Sequence, residues 1–235
     1  MDKIVVSTDK MKPSDAYVCW LDIMGTKSTM SSSFEKSANF ILRFHAAVLK
    51  AQTEKVRIYP VMDGVYIATK LEEDMVVVLN KIMTCLAEVF LGDSNEHRFV
   101  VRGAIAKGTI QHGSLLPKEV CQEISGKKGY KEKLLFGMPM IQACSSETMA
   151  PPFGIFIHES ARIVDYLQGP YYFWQQDSTI STRKSLQSDL KKALEEFFDW
   201  EKKRHFYYDL PEAKFDEYKN RVEEYYTMIQ EWQDK

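Results

Sequence analysis

Asp22 ends the apolar stretch WLDIMGTK (residues 20–27) and is followed closely by Gly25 and Thr26. Forty-one residues further on, Asp63 stands inside a second apolar run, YPVMDGVYIAT (59–69). Two carboxylates carried on neighbouring strands can share a divalent cation. Magnesium and manganese prefer oxygen ligands, keep part of their water shell and bridge to phosphates. A glycine turn that opens into a helix exposes backbone N–H groups where phosphate oxygens settle. The combination equips a site for chemistry at a nucleoside triphosphate. Each acid taken singly has a plainer reading, Asp22 as a helix cap and Asp63 as a turn residue.

The elements that must carry these residues follow from the apolar pattern. DAYVCWLDI (15–23) is short, apolar and aromatic, which predicts a buried strand. Serines precede Ile41, Phe44 and Val48, which predicts a capped helix over 31–52. KVRIYPVMDGVYIATK (55–70) reads as two strands with Asp63-Gly64 as the hairpin turn. The segment 72–92 begins with acids and ends in glycine, a marked helix, and 97–113 gives another strand. The order β-α-β-β-α-β is the ferredoxin-like arrangement of an α+β domain. After a lysine-rich stretch (117–133), a short helix (137–147) and a further strand (152–160) are expected. Leu186, Leu190, Ala193, Phe197 and Trp200, then Tyr218, Val222, Tyr225, Ile229 and Trp232, step by three and four on either side of DLP (209–211). That spacing predicts an αα-hairpin, and the division is a domain over 1–180 with a helical hairpin over 181–235 packed on it or on a second subunit.

Bulk properties narrow the field. The 235 residues are 45% hydrophobic and 27% charged with a net charge of -2, which suits a soluble globular protein and gives no global drive toward nucleic acid or membrane. No run of membrane-spanning length is read, and the first fifteen residues do not form a secretory signal. Cys19, Cys85, Cys121 and Cys144 form no CxxC pair and read as reduced thiols of a cytoplasmic protein.

Five segments, in order, resemble those of the class III nucleotide cyclases. LDIMGT is similar to their D-I-x-G-[FT] segment and YPVMDGVYIA to their K-x-x-G-D hairpin. VVRGAIAKGTIQHG is similar to their R-V-G-I-x-x-G strand and turn, LFGMPMIQACSSE to their G-x-x-V-N-x-A-x-R-x-E helix, and GIFIHES to the strand after it. The resemblance spans about residues 15 to 160. It implies that Asp22 and Asp63, with the Ile23 carbonyl, hold two Mg²⁺ or Mn²⁺ ions, and that Asp22 and Asp63 are catalytic. It implies that Gly25 and Thr26 receive the triphosphate and that Arg102 contacts it; Lys27, right after the turn, is a candidate to touch a phosphate or, as a first-turn helix residue, to point to water. It also implies a homodimer with sites between subunits.

The departures are as informative. The lysine that reads the base in the family is Tyr59 here, and the acid that helps it is Leu134. The transition-state asparagine and arginine fall on Ile141 and Ser145. A tyrosine in place of a long lysine fills the pocket and offers an aromatic face with one hydroxyl, which suits a pyrimidine ring. The pattern resembles the stand-alone pyrimidine cyclases of bacterial Pycsar anti-phage systems. That resemblance implies conversion of UTP (or CTP) to the cyclic monophosphate as a signal to a downstream effector, with UTP favoured and Tyr59 on the base. An inactive cyclase-like binding module and a purine cyclase with unfamiliar base contacts stay open. Lys127, Lys128, Lys131 and Lys133 could form a lid or a solvated loop, and GPYYFWQQD (169–177) a base-stacking surface or a core strand. His112 and His158 read as ordinary strand or turn residues.

Overall fold

The computed structural model describes residues 5–162, 167, 169–174, 183–204 and 210–233, with side chains over 186–204 and 210–231 in the last two stretches. Strand β1 (Ser14–Ile23) is buried on both faces. Tyr17, Cys19, Leu21 and Ile23 point to the main core, while Ala16, Val18 and Trp20 point to the other side. It pairs antiparallel with β3 (Gly64–Thr69) on one edge and β4 (Val101–His112) on the other. Strand β2 (Arg57–Val61) pairs with β3, so the four strands run β2-β3-β1-β4, all antiparallel. This is the expected ferredoxin-like quartet. Beyond β4 the sheet is extended by β6 (Ile155–Ile157), parallel to β4, and β7 (Tyr171–Tyr172), while β5 (Leu135–Gly137) pairs with the far end of β4.

Two long helices cover one face. Ser33 caps α2 (Phe34–Ala51), its hydroxyl accepting from the Lys36 N–H at 3.3 Å, and Phe40, Phe44, Ala47, Val48 and Ala51 face the sheet at helical spacing. The serines at 31 and 32 belong instead to a separate short helix, α1 (Thr26–Ser32), so the helix expected over 31–52 is two. Helix α3 (Glu72–Gly92) has the expected bounds, with Glu72, Glu73 and Asp74 at its positive end. Among the described residues, α3 is the one helix long and apolar enough to cross a membrane, where the sequence reading expects none. Here Met75, Leu79, Ile82, Met83, Leu86 and Phe90 are consumed by the core.

The β2–β3 loop is Met62-Asp63, one residue earlier than expected, because Val61 pairs with Gly64. Met62 takes the left-handed conformation (φ 52°). Gly64 is required by close approach, since a Cβ there would lie 2.4 Å from the Trp20 ring and 2.9 Å from Asp22 Oδ1. The polar stretch after β4 carries two short helices, α4 (Gln122–Ser125) and α5 (Lys128–Lys131), and α6 (Met138–Ser146) then lies across β4 and β1 on the face away from α2 and α3. The hairpin α7 (Arg183–Arg204) and α8 (Glu212–Gln233) packs against α3, with Phe90 and Phe197 rings 5.6 Å apart. Its helices are tied by Lys219–Asp199 (2.7 Å) and Lys202–Asp216 (2.9 Å). Leu190, Phe197, Val222, Tyr225 and Ile229 are buried in the same core as the sheet. Residues 180–181, at the expected domain division, together with Asp209 and the Trp232 side chain, lie outside what is described. All four cysteines are free, with Cys19 and Cys121 buried.

Candidate active site

Register sets the site. Asp22 sits opposite Gly64 of β3 and opposite Arg102 of β4, so the residue after Asp63, Asp22 itself and Arg102 form a row across three strands. The row lies where β1 ends and the chain turns into α1. Asp22 Oδ1 is buried and has no hydrogen-bond partner. Burial, and then the charges of Asp63 and Glu147, push the Asp22 carboxyl up to about 7, against the opposing pull of the Ile23 backbone and Arg102. Glu147, in the turn after α6, accepts an ion-paired hydrogen bond from Arg102 Nε, and both side chains are largely buried.

The turn itself is shaped by Gly25, whose φ of 76° suits glycine. The Gly25 carbonyl accepts from the N–H groups of Ser28 and Thr29, each at 3.1 Å, which starts α1. Thr26 is buried, and its hydroxyl donates to the Ile23 carbonyl at 3.0 Å, fixing the turn from within. Beside it opens a cavity of about 400 Å³ lined by Asp22, Ile23, Gly25, Lys27 and Arg102. Met24, Ser28 and Ser31, and Leu210 and Tyr218 from the C-terminal part of the chain, complete its lining. Five expected site residues therefore meet at one cavity, with Thr26 behind it and Asp63 acting on Asp22 through its charge.

Tyr59 is elsewhere. It lies two strands from β1 on the α6 side, buried with Ala16, Val18, Ala68 and Ile110. Its hydroxyl is hydrogen-bonded to His112 Nδ1 and the two rings stack 5.9 Å apart. Burial, and then Arg57 and Lys70, hold His112 down to about 4, so it is neutral at physiological pH. Ile141 and Ser145 are exposed on α6, Ile141 by 63%. None of the four lysines between 127 and 133 lines the cavity, and Lys131 Nζ donates to the Leu116 carbonyl. His158 caps a short turn through the Ser160 N–H at 3.2 Å. Tyr171 and Tyr172 form β7, and Trp174 Nε1 donates to the Phe153 carbonyl at 2.8 Å, which is the core-strand reading; 175–177 lie outside the described residues.

Six residues of the site escaped the sequence reading: Met24, Ser28 and Ser31 around the turn, and Glu147, Leu210 and Tyr218. Glu147 stood inside a quoted helix segment, but nothing in the string marks it as the partner of Arg102. Leu210 and Tyr218 were legible only as hairpin residues.

The donor set fits a hard divalent cation. The orphaned, buried Asp22 oxygen needs a positive partner, Asp63 bears on the same point, and the Ile23 carbonyl keeps one lone pair beside the Thr26 bond. Among the described residues no group of three or more His, Cys, Asp or Glu side chains converges as a metal cage, so water and substrate oxygens would complete any coordination shell.

No protein-family model matches the sequence, and no curated protein sequence is similar to it. Among solved structures the chain is similar to a bacterial light-regulated adenylyl cyclase, with TM-score 0.50 and 9% identity, over 65% of this chain and 45% of that one. It is also similar to an adenylate/guanylate cyclase/hydrolase from Silicibacter pomeroyi, with TM-score 0.45 and 13% identity, over 64% of this chain and 79% of that one. The chain thus spans less than half the length of the first. What the first likeness establishes at that identity is the fold, a nucleotide cyclase core.

Proposed function

We propose that the protein is a pyrimidine nucleotide cyclase that converts UTP (or CTP) to the 3′,5′-cyclic monophosphate and pyrophosphate. The observation that carries the reading is the buried, unpartnered Asp22 oxygen, set in register with Arg102 at the edge of a cavity that also holds Lys27. Asp22, Asp63 and the Ile23 carbonyl would hold two Mg²⁺ or Mn²⁺ ions, which when bound lower the pKa of the ribose 3′-hydroxyl and neutralise phosphate charge. Arg102 and Lys27 bind the triphosphate, and Gly25 and Thr26 shape the turn against which it lies. The 3′-hydroxyl gives its proton to the Asp22 or Asp63 carboxylate or to water, its oxygen forms a bond to the α-phosphorus, the bond from that phosphorus to the bridging oxygen breaks, and pyrophosphate leaves with the electron pair toward Lys27 and Arg102.

Preference for a pyrimidine is supported by bulk. Tyr59 and His112, with Trp20 and Tyr66 at 4.5 Å between ring centroids, fill the sheet face on the α6 side, which in this reading takes the base. Tyr59 acts there as a filler whose hydroxyl is taken by His112, which leaves little width for a purine. The groups absent at Ile141 and Ser145 would come from a second subunit, in a homodimer with sites between the chains. Exposed Phe136, Met138 and Ile141 offer an apolar surface for such a contact. The biological setting that goes with this chemistry is cytoplasmic second-messenger synthesis in anti-phage defence, read by a separate effector.

Asp22→Asn and Asp63→Asn should each abolish turnover, by at least a hundredfold on the scale of lost transition-state charge stabilisation, with an unchanged circular dichroism spectrum. Full turnover in either variant would refute the metal assignment. The exposed Ile141 and Ser145 favour a second reading, a nucleotide-binding module without turnover, which predicts triphosphate binding and no product.

A further inference from the structure

Tyr218 closes the cavity from the C-terminal side, on a helix far in sequence from the acids, Gly25, Lys27 and Arg102. Its ring is held in place by Phe198 of α7, with centroids 5.6 Å apart, and by Lys214 Nζ at 5.9 Å from the centroid. The residue is only 9% exposed, yet its hydroxyl makes no hydrogen bond to another described residue. Helix α8 is also fixed to the site at a second point. Arg221 Nη1 donates to the Thr148 carbonyl at 2.8 Å, next to Glu147, the partner of Arg102. Lys27, which lines the same cavity, has no ion-pair partner among the described residues.

An ammonium and a phenol without partners among the described residues, together with the Arg102 guanidinium that Glu147 holds, line one cleft suited to an extended polyanion. We propose that Tyr218 is a further binding residue of this site, its hydroxyl donating to the phosphate end of the triphosphate that Lys27 and Arg102 also hold. The C-terminal hairpin is then part of the site as well as of the core. The inference rests on the nucleotide reading of the cavity. A phenol is protonated at neutral pH and so donates to an anion, and a pinned ring loses little conformational freedom on doing so.

The test is calorimetric titration of the full chain with inorganic tripolyphosphate in Mg²⁺, for wild type, Tyr218→Phe and Lys27→Ala. Tyr218→Phe keeps the ring against Phe198, so Tm should be unchanged while the affinity falls roughly tenfold, the effect of one hydrogen bond to a charged group. Wild-type affinity in Tyr218→Phe, with weakened binding in Lys27→Ala, overturns the role of Tyr218 and leaves the triphosphate reading standing. Absence of tripolyphosphate binding to the wild type overturns both.

Discussion

At neutral pH Asp22 is held where ionisation is unfavourable, because burial and two neighbouring acids act on a carboxylate oxygen with no donor. With its pKa raised to about 7 from 3.8, the folded protein keeps a proton there that the unfolded chain has lost. Stability from this group is therefore greatest below pH 4 and declines as pH rises through about 7. Metal-free protein should lose on the order of 2 kcal/mol between pH 5 and 8 through this residue. Asp22→Asn should flatten that slope in urea titrations at the two pH values. Mn²⁺ should restore stability at pH 8 in the wild type and not in the variant; equal slopes in both proteins would contradict this picture. The cavity residues legible in the sequence were Asp22, Ile23, Gly25 and Lys27, which share one short stretch at the end of β1, and Arg102, at the start of β4. Tyr218 was not, because spacing by three and four looks the same for a core residue and for a cavity wall.

At the scale of elements, the approach of β3 to β1 beside the site depends on close packing at one glycine. Gly64 lets β3 lie against the Trp20 ring and the Asp22 carboxylate, and a methyl group there must displace one of them. Gly64→Ala is expected to cost about 2 kcal/mol in denaturant unfolding, and to reduce turnover more than stability because Asp22 itself must move. Wild-type turnover in a destabilised Gly64→Ala would show that the Asp22 rotamer is immaterial. The long elements were legible because α2, α3 and β4 each carry an unbroken apolar period or run. Helix α1 has no such period, only threonines and serines around Met30, and its start is set by the Gly25 turn. Strands β5 and β7 are two or three residues long and exist because β4 and β6 offer them an edge.

On the scale of the molecule, the sheet, α2 and α3, and the C-terminal hairpin bury side chains in one continuous core. Phe197→Ala should cost about 3–5 kcal/mol and leave a single unfolding transition; a separate hairpin transition would show an independent unit. Nothing in the chain's own order told which side of the core the hairpin would take, since its apolar faces suit α3, the sheet or a partner equally. The most direct measurement is incubation of the purified protein with each of ATP, GTP, CTP and UTP in Mn²⁺, with products separated by chromatography beside the same reactions for Asp63→Asn. A single cyclic pyrimidine monophosphate, absent with Asp63→Asn, is the predicted result. No product from any of the four, or a cyclic purine, would contradict it.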